Sequence, residues 1–149
     1  MTKMGCSRAE ASELTGSNLR APLFLSQCAA PQLARTRGAI VNITDIHADR
    51  PLKDYVVYSI AKAGLAALTR SLALQLGPEV RVNAVAPGAI AWPEDDPIPT
   101  AERKRIVSTT PLGRIGAPEE IARVVEFLAC APFVTGQTVA VDGGRSVFL

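Results

Sequence analysis

The chain has 149 residues, 48% of them hydrophobic and 20% charged, which is enough apolar material for one globular core. A net charge of +2, spread over scattered basic residues, gives no footprint for nucleic acid or a charged membrane surface, and no segment approaches the ~18 uninterrupted apolar residues of a membrane span. The three cysteines (Cys6, Cys28 and Cys130) are odd in number and widely spaced, which fits reduced thiols rather than a disulfide frame or zinc site and, with no apolar leader at the N-terminus, predicts a cytoplasmic address.

Residues 1–13 are polar and unpatterned, and they read as a disordered N-terminus outside a folded unit spanning 14–149. From Leu14 to Ala34 an apolar stripe (Leu19, Leu23, Phe24, Cys28) predicts an amphipathic helix, against which Pro22 and Pro31 count. Gly38 to Thr44 is a short β-branched run suited to a buried parallel strand. A helix follows from about Tyr55 to Leu76 and is stopped by Gly77-Pro78. Val80 to Ala86 forms a second buried strand, closed by Pro87-Gly88. Residues 89–117, with four prolines and the acidic run Glu94-Asp95-Asp96, lack a periodic pattern and read as a long functional loop. Pro118-Glu119-Glu120 opens the last helix with proline at its first position and acids at the positive end of the dipole. Gln137 to Val141 is a third strand, turned by Asp142-Gly143-Gly144. Cys28 and Cys130 lie in apolar helical stretches and are expected to be buried.

Strand alternating with helix implies an α/β fold with a parallel sheet, in which ligands gather at the carboxyl ends of the strands. Thr44-Asp45, Pro87-Gly88-Ala89-Ile90 and the glycine pair after the third strand all fall on that edge. The most informative pair is Tyr58 and Lys62, four residues apart on one helical face. A phenol titrates near ~10, and a neighbouring cation lowers that value by stabilising the phenolate, so Tyr58 reads as a general acid or base tuned by Lys62. His47, the sole histidine, has only Asp45 and Asp49 near it in sequence and reads as a loop residue, so no metal is expected.

Ile40-Val-Asn-Ile-Thr44, Tyr58-Ser-Ile-Ala-Lys62-Ala-Gly64, Arg81-Val-Asn-Ala-Val-Ala-Pro87-Gly88, Pro118-Glu-Glu-Ile-Ala and Val134-Thr-Gly-Gln followed by Val-Asp-Gly-Gly144, in this order, resemble the C-terminal half of a short-chain dehydrogenase/reductase. The resemblance implies part of a Rossmann-like, doubly wound sheet and a homotetramer in the full-length form. It makes Tyr58 the proton donor and Lys62 the residue that holds the nicotinamide ribose and lowers the tyrosine pKa. Asn18 would support a proton-relay water, and Pro87, Gly88 and Ile90 would lie along the nicotinamide.

Two departures from the family pattern shape the expectation. Most members carry a carbonyl-binding serine thirteen residues before the tyrosine, and here that residue is Asp45. A carboxylate suits a ring with N–H and amino donors. The pattern resembles the pteridine reductase branch, in which Asp, Tyr and Lys reduce pterins with NADPH; Tyr55, Trp92 and the Pro87–Glu94 loop extend the likeness and imply substrate contacts from Tyr55 and Trp92. A ketone- or enoyl-reducing member is the nearest enzymatic rival. The second departure is that no Gly-x-x-x-Gly-x-Gly occurs in these residues, so the backbone nest that would bind a pyrophosphate is missing. The chain therefore reads as a truncated reductase, and a catalytically silent or partner-dependent half-domain is the alternative from another class.

Overall fold

The computed structural model describes residues 6–92 and 98–148. Ser7 starts the first helix, α1 (Arg8–Thr15), through a capping box: the Ser7 hydroxyl accepts from the Glu10 N–H, and the Glu10 carboxylate accepts from the Ser7 N–H at 2.7 Å. Residues 8–13, expected to be disordered, are therefore helical, because two side chains satisfy the orphan donors that a polar composition alone does not reveal. Helical structure continues through a wide π-helical turn (Gly16–Arg20) into α2 (Ala21–Thr36). Pro22 sits in the first turn of α2, where no N–H is needed, and Pro31 is accommodated inside it.

Three parallel strands follow: β1 (Ala39–Ile43), β2 (Arg81–Pro87) and β3 (Thr138–Val141), in the order β1-β2-β3. The central strand is buried from Val82 through Ala86. Its side chains alternate between two helical layers. Val82 joins Ala73 and Val80 in a core packed by Leu33, Ile40, Leu72 and Leu76, on the side of α2 and of α3 (Val56–Leu76). Arg81, on the other face, donates to the last-turn carbonyls of α5 (Pro118–Cys130) at Leu128 and Ala129. Leu128 and Val82 are fully buried, and each such side chain is worth roughly 1.5–3 kcal/mol. Buried polar groups are matched: Asn42 donates to Thr69 at 3.0 Å, and Asn83 donates to the Val134 carbonyl and accepts from the Gln137 N–H. The alternation in the sequence thus gives the α/β fold that it predicts.

The segment expected to be a loop contains a helix, α4 (Thr100–Ser108), and a last short helix, α6 (Arg145–Phe148), follows the glycine pair. α4 escapes periodicity because it is polar and buries no residue completely, whereas α5 carries a clear apolar stripe. Cys6, Cys28 and Cys130 are all exposed, contrary to the expectation for the last two. Their helices turn other faces to the core, and α2 leaves Leu23, Phe24 and Leu25 in solvent as well. The run Glu94-Asp95-Asp96 lies outside the described residues. No helix among those described is long and apolar enough to cross a membrane.

Candidate active site

The carboxyl end of β1 delivers Asp45, whose two carboxylate oxygens do separate jobs. Oδ1 accepts from the His47 N–H at 2.8 Å and caps the short 3-10 turn Ile46–Ala48, while Oδ2 accepts from the Tyr58 hydroxyl at 2.7 Å. The thirteen-residue spacing is thus closed in space by a charge-assisted hydrogen bond. Lys62, one turn after Tyr58 on α3, places Nζ 5.7 Å from the Tyr58 ring centroid and donates to the Ile43 carbonyl at 3.0 Å. Both side chains are half-buried.

The electrostatics of the pair differ from the expectation that Lys62 lowers the tyrosine pKa. Burial, then the hydrogen bond to Asp45, then the negative charge of that carboxylate push the Tyr58 phenol well above its ordinary value. The Lys62 ammonium is spent on a backbone carbonyl, not on the phenol oxygen, and burial pushes its own pKa down against the pull of Asp45. With a raised native pKa, Tyr58 contributes stability that is present below about pH 10 and is lost as pH rises beyond it, where only the unfolded tyrosine ionises. The chain has two tyrosines, so Tyr55→Phe isolates Tyr58 for an absorbance titration. The phenolate should appear above the ordinary range. Asp45→Ser in the same background should move the midpoint down while leaving the burial contribution in place. An unmoved midpoint would disprove the coupling.

His47 Nδ1 lies 2.8 Å from the Arg50 carbonyl, and among the described residues no three His, Cys, Asp or Glu side chains form a metal-binding group. Asn18 occupies the middle of the wide turn between α1 and α2 and donates to the Leu14 carbonyl and the Ser17 hydroxyl, both at 3.1 Å. It shares with Lys62 a groove beside β1. The remaining expected residues line the same sheet edge. Pro87 ends β2, and the Gly88 N–H donates to the Val141 carbonyl at 3.1 Å. A Cβ on Gly88 would lie 2.7 Å from the Asp142 Cβ and 2.8 Å from its Cα, so only glycine fits between β2 and the turn after β3. Ile90 forms an isolated parallel bridge with Gly116.

A cavity of about 600 Å3 opens at this edge, walled by Asp45, His47, Tyr55 and Gly88 on one side and by Glu102, Arg105 and Ile106 of α4 on the other. Tyr55 is exposed at the start of α3. Trp92 is not among the described walls of that cavity; its ring lies under the Arg103 guanidinium, 5.2 Å away, which ties Trp92 to α4. Sequence reasoning did not place Glu102 or Arg105 here, and Arg145 entered it only as a further point of the family likeness. Arg145, buried in the last helix, also lines the cavity and donates through Nη1 to the Ile106 carbonyl at 2.9 Å and to the Thr109 hydroxyl, neutralising the negative end of α4. Asp142 sets up that turn: Oδ1 accepts from the Gly144 N–H and Oδ2 from the Ser146 N–H.

Comparison with known proteins shows the family. A family model described as enoyl-(acyl carrier protein) reductase, of the short-chain alcohol dehydrogenase type, matches residues 2–146. The chain is 40% identical over 149 residues to pteridine reductase 1 of Leishmania tarentolae, covering 92% of this chain and 50% of that protein. It is 38% identical over 131 residues to a 3-oxoacyl-[acyl-carrier-protein] reductase of Thermotoga maritima, covering 85% of this chain and 53% of that protein. The solved structure of an apo SCOR enzyme from Clostridium thermocellum superposes with a TM-score of 0.86 at 34% identity, over 97% of this chain and 57% of that one. The chain spans about half the length of the relatives it matches. Over nearly its whole length, this chain belongs to the short-chain dehydrogenase/reductase family.

Proposed function

We propose that the chain is the catalytic half of an NADPH-dependent reductase acting on a pterin-like ring, with Asp45, Tyr58 and Lys62 as its working trio. The observation that carries the reading is the 2.7 Å hydrogen bond from the Tyr58 hydroxyl to Asp45 Oδ2, at the rim of a cavity that Asp45 and Tyr55 also line. A carboxylate in that place accepts hydrogen bonds, so it favours a substrate edge rich in N–H donors and disfavours a bare carbonyl oxygen. The likeness to pteridine reductase 1 supports the same choice, while the equally near 3-oxoacyl reductase supports only the wider class.

The nicotinamide end of a dinucleotide suits the residues present. Lys62 presents an ammonium whose single hydrogen-bond partner among the described residues is the Ile43 carbonyl, leaving donors for ribose hydroxyls, and Gly88 keeps the strand end free of a side chain. These residues would hold the nicotinamide end of the cofactor, which would supply the hydride. Tyr58 gives the proton to the ring atom that the reduction leaves basic, and Asp45, released from the phenol, holds the ring N–H and amino groups. Asn18 lines the same groove as Lys62, which supports the reading that it holds a water behind the lysine.

The test is steady-state turnover of the full-length form with a dihydropterin and with simple ketones, for the natural chain and for Asp45→Ser. The dihydropterin should be preferred. Loss of the Asp45 hydrogen bond should cost roughly 2–4 kcal/mol, or about 30- to 900-fold in the pterin rate, with cofactor affinity nearly unchanged. Preference for ketones, or an unaltered pterin rate in the variant, overturns the substrate assignment and leaves family membership standing.

A further inference from the structure

The cavity at the carboxyl edge of the sheet carries more positive charge than negative. Among its described walls, three cations (Lys53, Arg105 and Arg145) stand against two carboxylates (Asp45 and Glu102). Both carboxylates already have partners. Asp45 accepts from the His47 N–H and the Tyr58 hydroxyl, and Glu102 accepts from the Arg105 guanidinium through both oxygens, at 2.7 and 2.8 Å. Arg145 is different. It is only 5% exposed, yet no described carboxylate lies at ion-pair distance from its guanidinium. Asp142, three residues before it, accepts instead from the Gly144 and Ser146 N–H groups. Both hydrogen bonds from the Arg145 side chain leave through Nη1, to the Ile106 carbonyl and the Thr109 hydroxyl. Its Nε and Nη2 donors have no partner among the described residues. Burial of a cation is destabilising unless an anion and hydrogen bonds compensate it. A like charge is felt there as well: burial first, and then Arg105, depress the Arg145 pKa.

We propose that Arg145 binds a carboxylate of the substrate through its Nε–Nη2 edge, with Arg105 adding charge and Glu102 holding that charge in check. Three features select a carboxylate. Nε and Nη2 form the side of the planar fork that meets two oxygens of one anion in parallel. The Nη1 bonds to α4 orient the fork before any ligand arrives, so little side-chain freedom is lost on binding. The surplus of one positive charge on the described walls matches a monoanion, whereas a phosphate monoester would bring roughly two negative charges. The cavity is then polar in two places: Asp45 accepts hydrogen bonds at one, and Arg145 donates them at the other. Its volume of about 600 Å3 has room for a reacting group and a separate acid. A substrate that carries a carboxylate away from its reacting atoms is selected over the neutral analogue. This inference rests on the cavity being the substrate site, as proposed above, and not on the choice of ring.

The test compares kcat/KM of the full-length form within two matched pairs: a dihydropterin bearing a 6-carboxylate against its 6-hydroxymethyl analogue, and 4-oxopentanoate against its methyl ester. The carboxylate should be preferred at least about tenfold in whichever pair is turned over, the scale of a hydrogen bond to a charged group. Arg145→Lys keeps the charge but has no fork, and should bring the preference close to unity. Glu102→Gln frees Arg105 and removes a negative charge from the wall, so it should raise the preference, while Arg105→Gln should lower it. Arg105 and Glu102 form an exposed pair on α4, so these two variants decide the matter even where Arg145→Lys disturbs the end of that helix. A role for Arg145 in capping α4 alone predicts equal losses for both members of a pair. Equal kcat/KM within both pairs, or a preference indifferent to Arg145→Lys and Glu102→Gln alike, overturns the proposal. Better turnover of the phosphate monoester of the 6-hydroxymethyl compound than of the 6-carboxylate overturns the choice of anion. A preference found only with 4-oxopentanoate sinks the pterin reading and keeps the anion site.

Discussion

Titrated with NADPH in a calorimeter, residues 1–149 on their own are expected to bind with a Kd weaker than about 1 mM, a binding free energy smaller than about 4 kcal/mol. Dinucleotide affinity in sheets of this type rests heavily on backbone N–H groups at a glycine-rich turn and on the helix that follows it. In the proposed reading Lys62 and the ends of β2 and β3 would meet the nicotinamide ribose, and these residues carry no glycine-rich turn for the pyrophosphate. Micromolar binding by monodisperse protein would show that the ends of β2 and β3 suffice.

The second large effect concerns Tyr58. In the full-length form, Tyr58→Phe should lower kcat by about 10²–10⁴, the usual range for removing a positioned general acid, with cofactor affinity unchanged. The substitution removes one oxygen, and with it the 2.7 Å bond to Asp45 Oδ2. The His47 N–H still holds the other carboxylate oxygen, so the turn at Ile46–Ala48 stays capped and the fold around the site should persist. Lys62→Ala should behave differently, raising the cofactor Kd along with the loss of rate, because it deletes the donor expected at the ribose. Equal losses in affinity for the two variants would mean that Tyr58 binds rather than reacts. A Tyr58→Phe enzyme with near-normal kcat would remove the phenol from the chemistry altogether.

How far the sequence could be read is best judged residue by residue. The meeting of Asp45 and Tyr58 was legible only through the family resemblance, which pairs the tyrosine with the position thirteen residues before it; the chain length between them would not have fixed it. The direction of the tyrosine shift was not. Spacing shows that Lys62 and Tyr58 share a helix face, but only coordinates show the ammonium turned to the Ile43 carbonyl and the phenol turned to a carboxylate. The strands were legible from their β-branched runs, and α4 was not, since a polar helix held by its ends carries no apolar period. Arg145 illustrates the same limit: its partners, Ile106 and Thr109, lie more than thirty residues away and join it through a hydroxyl and a main-chain oxygen, a contact that leaves no pattern. The helicity of residues 8–13 could have been found from Ser7 and Glu10, whose spacing is that of a capping box.

Gly64, two residues beyond Lys62, shows how the distance between two reactive groups is set by a residue that reacts with nothing. A Cβ there would lie 2.8 Å from Leu19 Cδ2 and 3.3 Å from its Cδ1. Leu19 stands next to Asn18 in the wide turn, so the bare backbone of Gly64 lets α3 settle against that turn and brings the amide of Asn18 and the ammonium of Lys62 to one groove. The glycine that closes the Tyr58-to-Gly64 signature is therefore a gauge between two helices. A larger residue would press on the end of the Leu19 side chain, which has to turn aside or let the helices part, and a shorter side chain at position 19 is the compensating change.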